Sequence, residues 1–445
     1  MARVPWSQPV PRGFEFMLPS VSGCQIEGCV SECRLCQHGL LLDRLAGWLA
    51  GWRAVAERSI PMPVLHFPQT EYDRRRRAVL QSMDAQGLDG LVLFRQESMY
   101  YLSGYDTSGY TMFQGMYLGA DGQMALLTRT ADRIQSRKTS IIPDIRIWTD
   151  RDGANPADDL KGLLHEYGCA EKRIGVEYHA YGLTGQRARM VDAALEGFCE
   201  TVDASDVVRL IRMVKSESEL EFVRRAGLLC DGMLEVSIEK TRPGNQVKSV
   251  YGSMMQVLMA GGGDPTASRW PMGAGESAVF CRYHTGDETI GPNDQVVFEP
   301  AASYRHYHAC MMYNIITGKP QPGHLAMNEA CVEALEACQS VLRPGHTVGD
   351  LYAAHSRAFD RAGLTGAALA ACGYSVGISY PPTWMDWPMV WADNPQVLEA
   401  GMVFFLHMIL LDDQTGLSMC LGETAIVTEG SCERVNHMPR EVIQV

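Results

Sequence analysis

Five side chains able to give or take a proton stand in or beside apolar segments of the second half of this chain. Glu299 closes the run VVFE, His306, His308 and Cys310 follow in YRHYHAC, and His407 lies within FFLHMILL. A carboxylate at the end of an apolar strand is costly to bury without a ligand or partner, which makes Glu299 the first candidate for a catalytic group. The competing reading of Glu299 is a salt bridge to Arg282 or Arg305. A lone imidazole among apolar neighbours, as at His407, is either a satisfied core residue or a working acid–base group. In YRHYHAC, strand alternation places Tyr304, His306 and His308 on one face and Arg305 and Tyr307 on the other. Cys310 falls on the face of His306 and His308, and that face either lines a pocket or is an exposed edge of the sheet.

Such groups suit general acid–base catalysis, and the hydrolysis of a carbon–nitrogen bond is one reaction that uses it. Water attack on an amide or amidinium carbon needs a base for the water's proton, a donor for the departing nitrogen and a charge partner for the substrate. Carboxylates and a histidine divide these tasks when burial moves their pKa values apart. Arg282 or His284 is the expected substrate anchor or general acid across the site. The loop SYPPTWMDWPM offers Trp384, Asp386 and Trp387, whose indoles would cap a small cation by cation–π contact or else serve packing or a dimer contact.

The elements that must position these groups fall into two halves. With 445 residues the chain is long enough for two domains, and 46% hydrophobic and 20% charged residues are ordinary for a globular protein. Apolar runs stay too short for a membrane span, and the net charge of -13 argues against a nucleic-acid partner while suiting a small cationic or zwitterionic substrate. Ten of the 14 cysteines are scattered through core-like segments as reduced thiols would be, which points to the cytoplasm. The other four, Cys24, Cys29, Cys33 and Cys36, do not form two clean C-x-x-C knuckles, and residues 1–60 read as an extension without a secretory signal.

Residues 61–210 alternate helical and strand patterns, beginning with TEYDRRRRAVLQSMDAQGLDG and LVLFRQ, so an α/β domain is expected there. Within it FRQESMYYLSGYDTSGY reads as a polar and aromatic loop carrying Arg95, Tyr101, Tyr105 and Asp106. Residues 211–445 open on Ser216 as an N-cap with Glu219 as its capping-box partner. Helical runs near 246–260, 325–342 and 347–362 then interleave with QVVFEP, MYNIIT, MVFFLHMILL and ETAIVTEG, which predicts an α+β domain with a curved antiparallel sheet.

Lys215 and Ser216, the segment Asp294 to Pro320, GYSVG at Gly373–Gly377, GMVFFLHMIL at Gly401–Leu410 and GETAIVTEG at Gly422–Gly430 together carry a resemblance over residues 65–440. By them the chain resembles the pita-bread superfamily in its creatinase and Xaa-Pro dipeptidase branch, and is closest in character to creatinase and ectoine hydrolase. The resemblance implies a homodimer in which the partner's N-terminal domain feeds residues such as Tyr105 into the pocket. It also implies two metal ions held by two aspartates, a histidine and two glutamates. Here Glu299 and Cys310 stand for the aspartates, Tyr374 for the histidine, His407 for one glutamate and Gly422 for the other, with Glu423 beside it. Arg282 takes the place of a further histidine.

Because these replacements still donate, accept or titrate, the site reads as rewritten. The expected protein is a metal-independent hydrolase of a non-peptide C–N bond in a small zwitterionic or cyclic nitrogen compound. Glu299, His407, Glu423 and His308 are its catalytic candidates, and Arg282, His284, His306, Cys310, Tyr374, Trp384, Trp387 and Tyr105 its substrate-binding ones. The alternatives are an Xaa-Pro-type metallo-dipeptidase, a single zinc on Glu299, Cys310, His407 and Glu423, or a non-catalytic binding protein of the same fold.

Overall fold

In the first half of the chain, short runs such as Gly90–Leu93 are buried at every position, as befits strands covered on both faces. The structure is a computed structural model and describes residues 63–445 apart from 284 and 285. The extension at 1–60 with its four cysteines, and His284, lie outside the described residues. Strands β1 (Gly90–Leu93), β2 (Gly115–Gly119), β3 (Met124–Arg129), β4 (Asp144–Trp148), β5 (Arg173–Val176) and β6 (Glu200–Asp203) form one sheet in the order β4-β3-β2-β1-β5-β6. β1 pairs antiparallel with β2 and parallel with β5, so this α/β sheet is mixed. The segment after β1 is a correction to the sequence reading: Gln96–Ser103 is a helix, buried at all eight positions, and only the residues after it form a loop.

The second half is built on a curved antiparallel sheet. Its strands are β7 (Met272–Ala274), β8 (Gln295–Phe298), β11 (Met312–Ile316), β12 (Gly373–Ser375), β13 (Asp386–Met389), β14 (Val403–Asp412) and β15 (Leu417–Ile426), in the order β13-β12-β14-β15-β11-β8-β7. Two short strands, β16 (Glu433–Arg434) and β17 (Ile443–Gln444), add to β15 and β11. Between β8 and β11 the chain leaves this sheet to make a separate hairpin of β9 (Ala301–Tyr304) and β10 (Tyr307–Cys310). The long β14–β15 hairpin pairs ten residues on each side, Val403 to Asp412 against Ile426 to Leu417. Helix Pro322–Val341 packs on β14 and β15 and covers one face of the sheet.

Local signals explain the entry to this half. Ser216 caps helix Glu217–Lys240, and its backbone N–H donates to Glu219 Oε2 at 3.0 Å, the expected capping box. Glu219 also accepts from Tyr307 Oη at 2.8 Å, while Ser216 Oγ donates to Glu71 Oε1 at 2.8 Å. Glu71 in turn holds the fully buried Arg75, whose guanidinium lies 4.1 Å from the Phe67 ring centroid and 4.5 Å from that of Tyr101. This paired cluster joins the helix Gln69–Ala85 to the second half and fixes the sheet against the α/β part. No helix among the described residues is long and apolar enough to cross a membrane.

Candidate active site

Where β8 ends, Glu299 and Pro300 carry the chain out of the main sheet, and the Glu299 N–H donates to Pro271 O at 2.9 Å. At this bend the Glu299 side chain lines a cavity of about 190 Å³, walled also by Cys281, Arg282, Tyr374, Trp384 and His407. Tyr374 and His407 reach the same cavity by strand parity. Tyr374 on β12 pairs with Phe405 on β14, and His407 lies two residues further along the same face. The volume is that of a site for one small ring-sized molecule.

The hydrogen bonds around Glu299 run in one direction. Trp384 Nε1 donates to Tyr374 Oη at 2.8 Å, and Tyr374 Oη donates to Glu299 Oε1 at 3.2 Å. Burial outweighs this bond and the nearby Arg282 guanidinium, and pushes the Glu299 carboxyl up to about 7. Burial also pushes the Tyr374 phenol well above its usual value, so the tyrosine stays a proton donor in the hydrogen bond. His407 is corrected as a titrating group, because burial and the neighbouring His355 push it down to about 3. Its imidazole is therefore neutral near pH 7, and its buried Nδ1 has no partner among the described residues.

Several expected residues lie elsewhere. Glu423 is fully buried on the opposite face of β15, paired with Leu406 and not with His407, whose register partner is Gly422. There it receives Gln339 Nε2 at 2.8 Å, the Met438 N–H at 2.9 Å and both Arg434 and Arg440. Arg305 and His306 have φ of 52° and 67° and form the turn between β9 and β10, so the alternation expected for YRHYHAC breaks there. His306 instead stacks on Tyr380 at 4.2 Å and sets Nε2 3.0 Å from Asp106 Oδ1 of the α/β part. His308 is buried with both ring nitrogens used: Nδ1 is 2.9 Å from His306 O, and Nε2 accepts from the Ala267 N–H at 3.1 Å. It pins the loop that leads to Arg269. Cys310 is fully buried under the hairpin, with its backbone tied to Thr424 Oγ1. Tyr105 is buried within the α/β part and donates to Gln114 Oε1 at 3.2 Å, so it is not available to a partner's pocket. Trp387 stacks under the Arg209 guanidinium at 4.8 Å and faces a different cavity.

The sequence reading missed Arg269 and Cys281. Both line the cavity wall, and Arg269 with Arg282 also lines a wider open groove of about 680 Å³ that adjoins it. Their only sequence signal is two arginines in a Gly/Pro-punctuated stretch that reads as loop, Pro265 to Arg282.

The donor set does not fit a dinuclear metal centre. A Cβ added at Gly422 would come 2.8 Å from the Phe405 ring, so that ring fills the space which a ligand at this position would need. The Cys310 thiol is pushed well above its usual range by burial, and Glu423 is turned to the other face. Among the described residues no three His, Cys, Asp or Glu side chains converge on one point.

Two family descriptions match the chain: metallopeptidase family M24 over residues 221–429 and the creatinase/prolidase N-terminal domain over residues 75–214. The ectoine hydrolase of Halomonas elongata is 28% identical over 395 residues, spanning 85% of this chain and 98% of its own. The Xaa-Pro dipeptidase of Pyrococcus horikoshii is 21% identical over 82% of this chain and 98% of its own. Among solved structures, dipeptidase PepE from Mycobacterium ulcerans superposes with a TM-score of 0.74 at 23% identity, covering 85% of this chain and 99% of that one.

Proposed function

This chain belongs to the pita-bread superfamily, in its creatinase and prolidase branch, and we propose that it is a metal-independent member that hydrolyses a non-peptide C–N bond in a small zwitterionic or cyclic nitrogen compound. It is a hydrolase acting on C–N bonds. The observation that carries the finer reading is Glu299: a buried carboxyl held near 7 inside a small cavity, at a position where the resemblance implies a metal ligand. The relationship to a protein named ectoine hydrolase supports a non-peptide substrate over a dipeptide.

In the proposed reaction, ionised Glu299 takes a proton from water as the water oxygen bonds to the amide or amidinium carbon. The C–N bond then breaks, and the Glu299 carboxylic acid returns that proton to the departing nitrogen. A pKa near the working pH serves both halves, since the base must be ionised before attack and the acid protonated after it. Tyr374, held by Trp384, fixes Glu299 Oε1 and leaves Oε2 for the water. Neutral His407 orients the substrate by hydrogen bonds, not by charge. Arg282 and Arg269 at the mouth supply positive charge for a substrate carboxylate.

The test is turnover of a panel of small amides, cyclic amidines and guanidino acids by enzyme dialysed against a chelator, with the metal content of each sample measured. Turnover of a carboxylate-bearing member by metal-free enzyme, abolished in Glu299→Gln, supports the reading. Activity confined to Xaa-Pro dipeptides with two bound ions per subunit would replace it with the metallo-dipeptidase.

A further inference from the structure

Asp106 follows the helix Gln96–Ser103, and its carboxylate reaches from the α/β half into the other. Its Oδ1 accepts from Tyr380 Oη at 3.0 Å and lies 3.0 Å from His306 Nε2. These two bonds hold the Asp106 carboxyl below its usual range against burial, so it is ionised and His306 Nε2 carries the proton. The side chains of His306 and Asp106 are 20% and 28% exposed, so neither fills the core. Two more side chains of the α/β half grip the same stretch. Glu97 Oε1 accepts from the Tyr380 N–H at 3.1 Å, and Tyr110 Oη donates to Pro381 O at 2.8 Å.

These contacts lead to the catalytic cavity. From Tyr380 the chain runs through Pro381, Pro382 and Thr383 to Trp384, and the prolines fix two of the intervening φ angles. The loop is closed on itself and tied to the hairpin, since Ser379 Oγ donates to Trp384 O at 3.1 Å and the Ser379 N–H donates to His306 O at 3.0 Å. Trp384 Nε1 in turn donates to Tyr374 Oη, which leaves the one proton of that hydroxyl for Glu299 Oε1. His306 holds its left-handed conformation without being glycine, a cost that persists only where the surroundings over-determine it. Here the surroundings are Asp106 and the Tyr380 ring, on which the imidazole stacks.

We propose that Asp106 and His306 are positioning residues for the reaction: they hold Tyr380, and through the loop 379–384 they aim Trp384 at Tyr374 and so direct the tyrosine's proton to Glu299. The α/β half thereby acts on the cavity of its own chain. This rests on Glu299 as the acid–base group. The sign of one shift separates positioning from a plain charge effect. Removing the Asp106 charge through space would favour ionised Glu299 and lower its titration midpoint, whereas weakening the Tyr374 hydrogen bond raises it.

Infrared titration of the Glu299 carboxyl band in the full chain, taken as the difference from Glu299→Gln, reads that midpoint without a substrate. Asp106→Ala and Tyr380→Phe, the second of which removes only one hydroxyl, should both raise it above about 7. Neither should add to the shift of Tyr374→Phe when combined with it, because all three act through one hydrogen bond. His306→Gly, which keeps the left-handed turn and loses the ring, should raise the midpoint by less. In turnover, Asp106→Ala should lower kcat about tenfold and change KM by less than about threefold, and Asp106→Asn, which keeps an acceptor oxygen, should recover most of kcat. The proposal is overturned if Tyr380→Phe leaves the midpoint at its wild-type value, if Asp106→Ala lowers it, or if either still shifts it in the Tyr374→Phe background. Turnover that survives Glu299→Gln would overturn the acid–base reading itself, and the midpoints would not register it.

Discussion

Glu423 and Glu299 are buried carboxylates on opposite sides of the same sheet, and their surroundings differ in kind. Glu423 meets two arginines, an amide side chain and a backbone N–H under the helix Pro322–Val341. Glu299 has one tyrosine hydroxyl and a more distant arginine charge, and opens on a cavity. A carboxylate held by two arginines and two neutral donors is committed to holding elements together, since loss of its charge leaves those arginines uncompensated. One that burial leaves close to neutrality can change charge during a reaction at little cost.

The largest effect should come from the cavity side. Glu299→Gln is expected to lower kcat/KM by about 10²–10⁴-fold, the usual contribution of a general acid–base group, with the melting temperature kept or raised. A steady-state assay beside a thermal melt checks both parts. Glu423→Gln should do the reverse, costing about 3 kcal/mol of stability in a denaturant titration, because Arg434 and Arg440 lose their partner, while activity per folded molecule is kept. If Glu423→Gln abolished activity without loss of stability, the division between the two faces would fail.

Smaller effects sharpen the division. The Tyr374 hydrogen bond favours the ionised form of Glu299, so Tyr374→Phe removes a lowering influence and moves the acid limb of the kcat/KM profile to higher pH. In wild type that limb should rise through about 7, with the carboxylate active above it and the carboxylic acid inactive below. Arg282→Gln should move the limb the same way by less, since Arg282 is the weaker of the two influences, and should raise KM more than it lowers kcat. A limb moved to lower pH in either variant would reverse the assigned electrostatics.

The contrast also shows what the sequence could reveal. The helices and the β14–β15 strands follow from periodicity, and the Ser216–Glu219 capping box from local chemistry. Glu299, Tyr374 and His407 were legible because the order of the anchoring motifs fixes their strand register. Glu423 misled because a one-residue step along a strand reverses the face, and Gly422, not Glu423, stands opposite His407. His306 misled because Arg305 and His306 turn the hairpin without the glycine or asparagine that would mark such a turn. Arg269 and Cys281 sit in irregular loop, where no periodicity tells which way a side chain points. The pKa of His407 depends on its surroundings in space, which the apolar neighbours in sequence only hinted at.

The central claim is that Glu299 is a buried carboxyl poised near neutrality. Infrared difference titration of the carboxyl band, wild type minus Glu299→Gln in ¹³C-labelled glutamate protein, measures it directly and without a substrate. The account predicts one glutamate that titrates at about 7 and is absent from the variant. A Glu299 signal titrating at or below the ordinary carboxylate range near 4.5 would show the group to be paired and structural, and would contradict the account.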